Sequence, residues 1–499
     1  MVYFIYAKHT LKKKNMSKNF YITTTLPYVN AEPHIGFASE IVYADVRARF
    51  ESIIGNDVVF NTGTDEHGAK IWQNATEVGS DPQKYVDKYA AKFDDLKKML
   101  NLSYTNFART TDKGHKAAAQ ELWRRVDANG YIYKKQYSVK YCVGCELEKT
   151  DSDLENGECP LHPGKELELI EEENYFFKFS EFGDKLLELY KNNPDFVVPQ
   201  KRLNEISAFV ERGLQDFSIS RVAKKMPWGI PVPGDESQVM YVWFDALTNY
   251  VSTLGWPAES LTSNQVDKPE KTDFEKFWGT KKIPNAIQIA GKDNLRQQSA
   301  MWQAMLMAAD LPTSKQIFIN GFIGVDGQKM SKSIGNVIAP SEMVGRYGVD
   351  GTRYILLTKG SFGEDNDISW DKMDAKYNAD LANGLGNLTA RIITLAGDIE
   401  FEKPEVDVKQ LEDDTNKMAL NSALESIWKI VEKANKYIEQ TKPWELRKND
   451  EKEFEKVMKE LLVDLNTISI LVESFLPETA EQIQGALENR ERIILFERI

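Results

Sequence analysis

The stretch "NFYITTTLPYVNAEPHIGFASEIVYADVRARFESIIGNDVVFNTGT" (residues 19–64) contains the pattern that decides the fold. Residues 19–28 are rich in β-branched and aromatic side chains and end in a proline turn, which is typical of a strand. Residues 39–55 have apolar side chains at helical spacing up to a glycine, and residues 57–64 again read as a strand. A strand, a helix and a strand in succession form a βαβ unit, which predicts a parallel sheet.

The same pattern returns more than two hundred residues later. Residues 285–293 are strand-like, residues 295–311 have helical spacing, and residues 315–322 are strand-like again. The long segment between the two halves differs in texture and contains all three cysteines. One doubly wound parallel sheet interrupted by an insertion explains this order better than two independent sheets.

Strand signals disappear after residue 375. Residues 418–440 and 454–476 each place their apolar side chains on one helical face. We therefore predict a helical bundle over residues 376–499.

Length and charge restrict the class of protein. A chain of 499 residues is expected to form roughly two or three domains. The net charge of −13 argues against non-specific coating of nucleic acid, although a local basic site remains compatible with it.

The chain has no apolar run of the ~18 residues that a membrane span needs, and its N-terminal basic run follows the apolar residues, unlike a secretory signal. These features favour a cytoplasmic protein. Residues 1–15 are interpreted either as a disordered tail or as residues that precede the true start at Met16.

The segment after the first strand carries His34 and Gly36 directly before the predicted helix. Ligands of open α/β sheets bind at the carboxyl ends of the strands, and a helix N-terminus offers N–H donors to a phosphate. Gly36 would let a flat base approach the backbone. His34 is therefore a candidate nucleotide-site residue, and the alternative is a histidine that only caps the helix.

The loop "DGQKMSKSIGN" (residues 326–336) is flanked by glycines and rich in hydrogen-bond donors. Lys329, Ser331, Lys332 and Ser333 suit a triphosphate, since an ammonium group is a mobile point charge. The alternative is a solvated surface turn. Because the loop and His34 occupy equivalent ends of the two half-sheets, we favour a joint nucleotide site.

The three cysteines and one histidine have the spacing of a metal knuckle. Cys142, Cys145, Cys159 and His162 follow the order Cys-x2-Cys, thirteen residues, Cys-x2-His. Two such pairs closing on one tetrahedral ion are typical of a structural zinc site, and four protein ligands leave no position for a reactive water. The alternative is a set of unmetallated thiols, while a zinc deaminase is disfavoured because its His-x-Glu motif is absent.

Several motifs in the same order resemble the class I aminoacyl-tRNA synthetases, and specifically the methionyl-tRNA synthetase family with a single zinc knuckle. The resemblance covers nearly the whole chain from about residue 18, and its matching stretches are "LPYVNAEPHIG", "FNTGTDEHG", "YVWFDALTNY", "IAGKD", "KMSKSIGN" and "TKPWELRK".

The resemblance implies a two-step reaction. The methionine carboxylate attacks the α-phosphorus of ATP and expels pyrophosphate, and the 3′-terminal ribose of tRNA(Met), including the initiator, then takes the methionyl group. Such chemistry depends on positioning and on stabilising phosphoryl charge. His34, Lys329 and Lys332 would supply that charge together with Mg²⁺, and Gly291 and Asp293 of "GKD" would contact the ribose or a metal.

The resemblance also implies a methionine pocket. Asp65 would bind the ammonium group, and His67 stands in the same motif. The apolar slot, whose aromatic walls suit a polarizable thioether, would be formed by Leu26, Tyr28, Trp243, Leu247 and Tyr250. Trp243 and Tyr250 at helical spacing have the alternative of belonging to the core.

Two positions depart from the family pattern. The first signature of the family corresponds to "HIGF" (residues 34–37) in this chain. Phe37 stands where that signature usually ends in a histidine or an asparagine, and its ring donates no hydrogen bond. Gln298 stands where the family usually has a pocket histidine, and it can donate to a substrate but cannot titrate. We expect retained methionine activity with altered affinity.

In the helical region, "GNLTAR" and "KPW" resemble the anticodon-reading elements of the family. Asn387 and Arg391 lie four residues apart and share a helical face. Trp444 follows a proline at a helix end, where an indole can stack on an unpaired base, and the alternative is an indole packed between helices. The chain has no appended strand-rich domain after residue 499, so we expect a monomer.

Two rival functions stay open at this point. The first is a related class I synthetase or nucleotidylyltransferase, which the amino-acid specificity of activation would distinguish. The second is a zinc-containing RNA-binding protein without catalysis, which tRNA binding without ATP consumption would favour.

The expected fold class is α/β: a Rossmann-like doubly wound parallel sheet, split by a zinc-containing insertion and followed by an α-helical bundle. The expected parts are an N-terminal tail (1–17), the first catalytic half (18–115), the insertion (116–230), the second catalytic half with the KMSKS loop (231–345), a linking segment (346–375) and a helical anticodon-binding domain (376–499).

Overall fold

The computed structural model describes residues 17–145, 147–149, 153–257, 273–330 and 335–499. The elements before the long insertion are β1 (Asn19–Thr23), α1 (Ile35–Ile53), β2 (Asp57–Thr64), α2 (Ala69–Glu77), α3 (Pro82–Asp94), α4 (Leu96–Met99), β3 (Asn106–Arg109) and α5 (Lys113–Ala128). The elements of the middle of the chain are β4 (Ile132–Cys142), β5 (Leu147–Lys149), β6 (Glu168–Phe177), α6 (Gly183–Asn192), β7 (Val197–Val198), α7 (Gln200–Glu211), β8 (Phe217–Ser218), β9 (Ser220–Val222), β10 (Pro231–Val232) and β11 (Asp235–Met240).

The second half of the sheet region begins after β11. Its elements are α8 (Val242–Ala246), α9 (Asn249–Ser252), β12 (Ala286–Gly291), α10 (Trp302–Ala308), β13 (Gln316–Asn320), β14 (Ile323–Val325), β15 (Gln328–Lys329), α11 (Pro340–Thr358) and β16 (Asn366–Ile368). The helices of the C-terminal region are α12 (Trp370–Lys376), α13 (Asn387–Ala396), α14 (Lys409–Asn416), α15 (Leu420–Thr441), α16 (Pro443–Asn449), α17 (Glu451–Val472) and α18 (Pro477–Asn489).

The central sheet has six strands in the order β3-β2-β1-β12-β13-β7. Every neighbouring pair is parallel, which confirms the predicted doubly wound sheet. The chain runs from β1 outward to β2 on one side and resumes at β12 on the other side. The strand order therefore reverses between β1 and β12, and this switch point is where open α/β sheets bind ligands.

The middle of the chain forms mainly separate antiparallel sheets. Strands β5-β4-β6-β8 form one sheet and β10-β11-β9 form another. However, β7 leaves this region and pairs in parallel with β13, through Val197 beside Ile317. This strand has only two residues, which is too few for a periodic signal in the sequence. The predicted domain boundaries stay a prediction.

The C-terminal region is helical, as predicted: past β16, the described residues contain no strand. The predicted helix at 418–440 is α15, and eight of its side chains pack into the core: Leu420, Ala423, Leu424, Ile427, Trp428, Val431, Ala434 and Ile438. None of the helices described has the length and apolar character to cross a membrane.

The helical region packs directly on the sheet region through a buried polar junction. Arg353 of α11 pairs with Asp45 of α1 at 2.8 Å, and both side chains are inaccessible to solvent. The Arg353 guanidinium also donates to the carbonyl oxygen of Phe475, at 2.8 Å, in the turn between α17 and α18. The junction therefore joins the helix that starts at His34 to the C-terminal bundle.

Glu473 at this junction predicts a pH dependence of stability. Burial raises the pKa of its carboxyl to about 7, although the positive charge of Arg49 lowers that pKa. A carboxyl whose pKa is higher in the folded state favours folding at low pH, and this contribution is lost as the pH rises from about 4.5 to about 7. Glu473→Gln should therefore raise the free energy of unfolding by about 2 kcal/mol at pH 8 and leave it unchanged at pH 4. Urea unfolding at both pH values measures this, and equal effects at both would contradict it.

Candidate active site and metal centre

The N-terminus of α1 lies at the switch point and is capped by His34. The His34 backbone is extended, with φ −127° and ψ 168°. The Gly36 backbone N–H donates to His34 Nδ1 at 3.0 Å. The capping role of His34 is therefore present, and the residue is exposed at the protein surface.

The KMSKS segment meets this helix N-terminus. A Cβ atom at position 36 would lie 2.7 Å from His34 Cε1 and 3.8 Å from Met330 Cε, so Gly36 leaves space between the imidazole and the loop. The Ile35 backbone N–H donates to the carbonyl oxygen of Ile338 at 3.2 Å. The two segments that sequence analysis assigned to one nucleotide site thus adjoin each other.

The lysines of the KMSKS segment are described only in part. The backbone of Lys329 pairs with Gly324 in the small sheet β15-β14-β16. Ser331, Lys332 and Ser333 lie outside the described residues.

Phe37, the first departure from the family pattern, packs against another aromatic side chain. Its ring meets Phe93 of α3 edge-on, with centroids 5.7 Å apart and an interplanar angle of 76°. The ring packs α1 against α3. Phe37 therefore contributes apolar packing at a position where a histidine or an asparagine would offer a hydrogen bond.

The continuations of β1 and β2 bring the predicted ammonium site together. Tyr28 and Asp65 form a parallel bridge, in which Val29 N–H donates to the Asp65 carbonyl at 3.1 Å and Asp65 N–H donates to the Pro27 carbonyl at 3.0 Å. Asp65 is 5 % exposed. Its carboxyl therefore stands on a rigid backbone beside the segment that contains Leu26 and Tyr28.

Tyr250 and Gln298 adjoin this group and are held by a chain of buried amides. Gln298 Nε2 donates to the Tyr250 hydroxyl at 2.6 Å, and Gln288 Nε2 donates to Gln298 Oε1 at 3.1 Å. The second donor fixes the orientation of the Gln298 amide. Gln298 thus contacts the predicted slot through Tyr250.

The phenol of Tyr250 stays protonated. Burial raises its pKa far above the ordinary value, and the nearby carboxyls of Glu40 and Asp65 raise it further. Its ring also packs edge-on against Trp302 at 5.9 Å. Tyr250 therefore fits both the core and the slot interpretation: its ring packs in the core, and its hydroxyl lies among polar groups.

Leu247 is buried and Trp243 is partly buried on the preceding turns.

His67 belongs to a buried triad of which sequence analysis identified only one member. Asp245 lies between two imidazoles, with His67 Nδ1 2.6 Å from one carboxylate oxygen and His115 Nε2 2.7 Å from the other. Burial opposes ionisation, but the imidazoles outweigh it and lower the pKa of Asp245 to about 2. Asp245 therefore orients the His67 ring, which tilts against Trp228 at a centroid distance of 5.6 Å.

The "GKD" turn forms the other wall of the switch point. Gly291 ends β12, and Asp293 lies in the following 3-10 turn, Lys292–Asn294. A Cβ atom at position 291 would lie 2.7 Å from Asp293 Oδ1, so the Asp293 carboxylate lies close against the Gly291 backbone. Lys292 pairs with Asp365 at 2.5 Å, which connects this turn to the segment before β16.

A buried carboxyl that sequence analysis did not identify lies between these two walls. Glu40 Oε1 accepts hydrogen bonds from the Thr25 backbone N–H at 2.8 Å and from the Thr25 hydroxyl at 2.6 Å. Burial raises the pKa of Glu40 to about 8, the Thr25 and Gly291 hydrogen bonds lower it, and the charge of Asp293 raises it further.

The cysteine and histidine side chains of the middle region converge on one point. Their ligand atoms all lie within 4.8 Å of one another. Cys145 Sγ and Cys159 Sγ are 3.8 Å apart, and Cys142 Sγ lies 3.8 Å from His162 Nδ1. Two sulfurs bound at about 2.3 Å to a tetrahedral ion would be about 3.8 Å apart, so the four side chains fit such an ion.

A glycine makes this convergence possible. A Cβ atom at position 144 would lie 2.5 Å from the ring of His162, so the turn between the first two cysteines has room for the imidazole only because Gly144 has no side chain.

The helical region presents an exposed indole beside a guanidinium. Trp444 is 39 % exposed at the start of α16, and the Arg391 guanidinium carbon lies 5.7 Å from its ring centroid. Arg391 also pairs with Glu439 at 2.8 Å, and Asn387 is exposed one turn earlier on α13. The three predicted residues thus lie on one surface.

Comparison with known proteins gives concordant matches over nearly the whole chain. A family model described as "tRNA synthetases class I (M)" matches residues 20–166 and 144–393, and a model described as "Anticodon binding domain of methionyl tRNA ligase" matches residues 393–494.

Two similar relatives are named methionine–tRNA ligase. That of Caldanaerobacter subterraneus subsp. tengcongensis is 40 % identical over 501 residues, which covers 97 % of this chain and 76 % of the relative. That of Brucella suis is 40 % identical over 495 residues, with 94 % and 92 % covered. The crystal structure of Mycobacterium tuberculosis methionyl-tRNA synthetase with methionyl-adenylate superposes with a TM-score of 0.85 at 35 % identity, covering 94 % of this chain and 93 % of the other.

The doubly wound sheet, the His34 turn adjoining the KMSKS segment and the family match define a class I aminoacyl-tRNA synthetase. Within that class, the chain belongs to the methionyl-tRNA synthetase family, the methionine–tRNA ligases. The family, the fold class and the enzyme class expected from sequence are confirmed.

Proposed function

We propose that this chain activates L-methionine with ATP to methionyl-adenylate and pyrophosphate, and then transfers the methionyl group to the 3′-terminal ribose of tRNA(Met), including the initiator. One observation carries the proposal: Met330 of the KMSKS segment lies against the His34–Gly36 turn at the switch point.

The residue roles follow from charge and position. The Asp65 carboxylate holds the methionine ammonium group, while Tyr28, Tyr250 and Gln298 belong to the slot for its side chain. The methionine carboxylate then attacks the α-phosphorus of ATP and pyrophosphate leaves. His34, Lys329 and Lys332 stabilise the charge on the phosphates, while Gly291 and Asp293 contact the ribose.

A magnesium ion fits the same site, because Asp293 offers carboxylate oxygens, which Mg²⁺ prefers. When bound with ATP, Mg²⁺ would neutralise part of the triphosphate charge.

Methionine-dependent exchange of pyrophosphate into ATP tests the first step. Exchange driven by methionine and by none of the other amino acids, and lost in Lys332→Ala, is the expected result. Exchange driven by another amino acid would instead indicate a sister synthetase. tRNA binding without exchange would favour an RNA-binding protein.

We further propose that the Cys142, Cys145, Cys159 and His162 side chains hold one structural zinc ion. Thiolate and imidazole ligands at these separations suit zinc, and four protein ligands leave no open position. The ion would join the β4–β5 turn to the loop that contains Cys159 and so keep the four-stranded antiparallel sheet in place.

Cys159→Ser is expected to lower the bound zinc from about one ion per chain to about zero, because one lost ligand opens the tetrahedral shell. Metal analysis of purified protein measures the loss, and limited proteolysis should show new cleavage between β4 and β6. Ser180→Ala, outside the cluster but in the same region, is the control. Full zinc content in Cys159→Ser would contradict the ligand assignment.

We also propose that Asn387, Arg391 and Trp444 read the anticodon. The support is that the indole is exposed and the guanidinium lies over it, an arrangement that can stack on an unpaired base and donate to it. The monomeric state, the cytoplasmic location and the division into six parts rest on the sequence and are proposed on that ground.

Trp444→Ala should raise the KM for tRNA(Met) about 10- to 100-fold, since stacking of one base contributes about 1–3 kcal/mol. Methionine-dependent exchange should be unchanged, because the indole lies on α16 of the C-terminal helical region and is not part of the proposed adenylation site. Lys448→Ala, an exposed cation on the same helix, controls for the loss of general charge attraction. An equal effect of both substitutions on KM would contradict the stacking role.

A further inference from the structure

A chain of buried polar side chains lies behind the proposed methionine slot and ends at Tyr250. Its other members are Gln288 on β12, Gln303 on α10, Ser314 before β13, and Gln298 in the π-helical segment Gln297–Met301. Each of these four residues is at most 2 % exposed. Gln298 adjoins the slot through Tyr250, whereas the other three have no part in the proposed reaction.

The direction of the first hydrogen bonds in this chain is fixed by the main chain. The Ser314 backbone N–H, which can only donate, lies 3.0 Å from Gln303 Oε1. The Gln298 carbonyl oxygen, which can only accept, lies 2.9 Å from Gln303 Nε2. These two main-chain groups therefore leave a single orientation for the Gln303 amide.

From Gln303 the direction passes through Ser314 and Gln288 to Gln298. Gln303 Nε2 also donates to Ser314 Oγ at 3.1 Å, so the serine hydroxyl accepts there and donates its own hydrogen to Gln288 Oε1 at 2.5 Å. Gln288 Nε2 is thereby turned towards Gln298 Oε1, at 3.1 Å. The Gln298 amide is left with its nitrogen towards the Tyr250 hydroxyl, at 2.6 Å.

The Tyr250 hydroxyl ends the chain and accepts from Gln298. Burial raises the pKa of Tyr250, while hydrogen bonds from the Gln298 and Asn249 amides lower it, as donors to a phenol oxygen do. The phenol therefore keeps its hydrogen, and none of the hydrogen bonds among the described residues uses that hydrogen. The hydroxyl can donate it to a substrate side chain in the slot.

We propose that Gln288, Gln303 and Ser314 are positioning residues for methionine recognition. They hold the Gln298 amide in the one orientation that leaves the Tyr250 hydroxyl as a donor to the substrate side chain. The inference rests on the proposed function and names residues that contact neither methionine nor ATP.

The orientation of the Gln298 amide matters because its two ends have opposite hydrogen-bonding roles. If the amide turned over, its oxygen would accept the Tyr250 hydrogen and the slot would lose its donor. The thioether sulfur of methionine is a weak acceptor, whereas the corresponding methylene group of norleucine accepts nothing. The oriented amide should therefore favour methionine over norleucine.

Ser314→Ala and Gln288→Met in the full chain test the proposal in the pyrophosphate exchange assay, run with methionine and with norleucine. Alanine keeps the Ser314 N–H but has no hydroxyl, and methionine keeps the length of the Gln288 side chain but has no amide. The ratio of kcat/KM for methionine to that for norleucine should fall about 3- to 10-fold, the range for one neutral hydrogen bond. The KM for ATP should stay unchanged. The two positions lie on different elements, so either variant carries the test if the other fails to fold.

Tyr250→Phe separates orientation from a general loosening of the slot. Phenylalanine keeps the ring but has no hydroxyl, so this variant should already show the reduced ratio, and neither Ser314→Ala nor Gln288→Met should reduce it further. Ser469→Ala is the matched control, because Ser469 is also buried and its hydroxyl donates to the Asn466 carbonyl oxygen within α17 of the C-terminal region. It should leave the ratio at the wild-type value.

Three outcomes would overturn the proposal while methionine-dependent exchange stays intact. The first is a wild-type ratio in both Ser314→Ala and Gln288→Met. The second is a further fall of the ratio when either substitution is added to Tyr250→Phe, which would indicate a lost slot shape instead of a lost orientation. The third is a wild-type enzyme that uses norleucine as efficiently as methionine. Absence of methionine-dependent exchange in the wild type would overturn the proposed function itself, and the positioning role with it.

Discussion

Asp65→Asn is expected to lower kcat/KM for methionine about 100- to 1000-fold. The substitution keeps the shape of the side chain but removes the charge that would pair with the ammonium group. Loss of one partner of a buried charge pair costs about 2–5 kcal/mol, and each 1.4 kcal/mol corresponds to about a factor of ten. The Asp65 side chain is nearly inaccessible to solvent, so water would not replace the missing charge.

The backbone at position 65 is held by main-chain hydrogen bonds, so Asp65→Asn tests the charge of the side chain and not the local structure. Asp65 is held between Pro27 and Val29 by main-chain hydrogen bonds, which asparagine retains, and the site should therefore keep its geometry. The exchange assay with varied methionine, together with varied ATP, measures the effect, and the KM for ATP should change less than threefold.

Asp57→Asn provides the matched control, at the opposite end of the same strand. Asp57 is exposed and pairs with Lys276 at 2.5 Å on the surface, so its loss should leave both kinetic constants unchanged. An Asp65→Asn enzyme within fivefold of wild type would contradict the assignment of Asp65 to the ammonium group.

Arg353→Met is expected to lower the free energy of unfolding by about 3–5 kcal/mol, the range for breaking a buried ion pair from one side. The guanidinium is fully buried and pairs with Asp45, while also donating to the carbonyl oxygens of Phe475 and Leu100. Methionine fills most of the volume of the arginine side chain. However, it leaves the Phe475 and Leu100 carbonyl oxygens without this donor, and it leaves the Asp45 carboxylate with one cationic partner fewer.

Urea unfolding followed by tryptophan fluorescence measures this loss. Arg346→Met on the same helix is the control: its guanidinium is exposed and pairs with Asp374 on the surface, so the unfolding midpoint should stay close to that of wild type. Equal unfolding midpoints for Arg353→Met and wild type would show that the junction between α1, α11 and the C-terminal bundle does not depend on this pair.

Local signals in the sequence determined much of this protein. The strand predicted at 57–64 is β2 with the same bounds, and the helix predicted at 418–440 differs from α15 by one or two residues at its ends. Such elements are predictable because the alternation or helical spacing of apolar side chains lies within the element itself. The Cys-x2-Cys and Cys-x2-His spacing likewise predicted a cluster that the structure brings together.

Residues whose partners lie far away in the chain were not predictable in this way. Asp245 touches His115 and His67, which are 130 and 178 residues away, and the Glu40 carboxyl lies near Gly291 across the switch point. The predicted helix at 295–311 also begins as a π-helical segment, Gln297–Met301, around Gln298. No periodicity marks these contacts.

Thus the sequence alone determined the family, many of the strands and helices and the four side chains of the Cys–His cluster, because each is encoded in neighbouring residues. The tertiary structure alone decided which carboxyls are buried, how Gln298 is oriented, and how Arg353 joins the bundle to the sheet. Burial and hydrogen bonding are properties of the packed surroundings, and those surroundings come from every part of the chain at once.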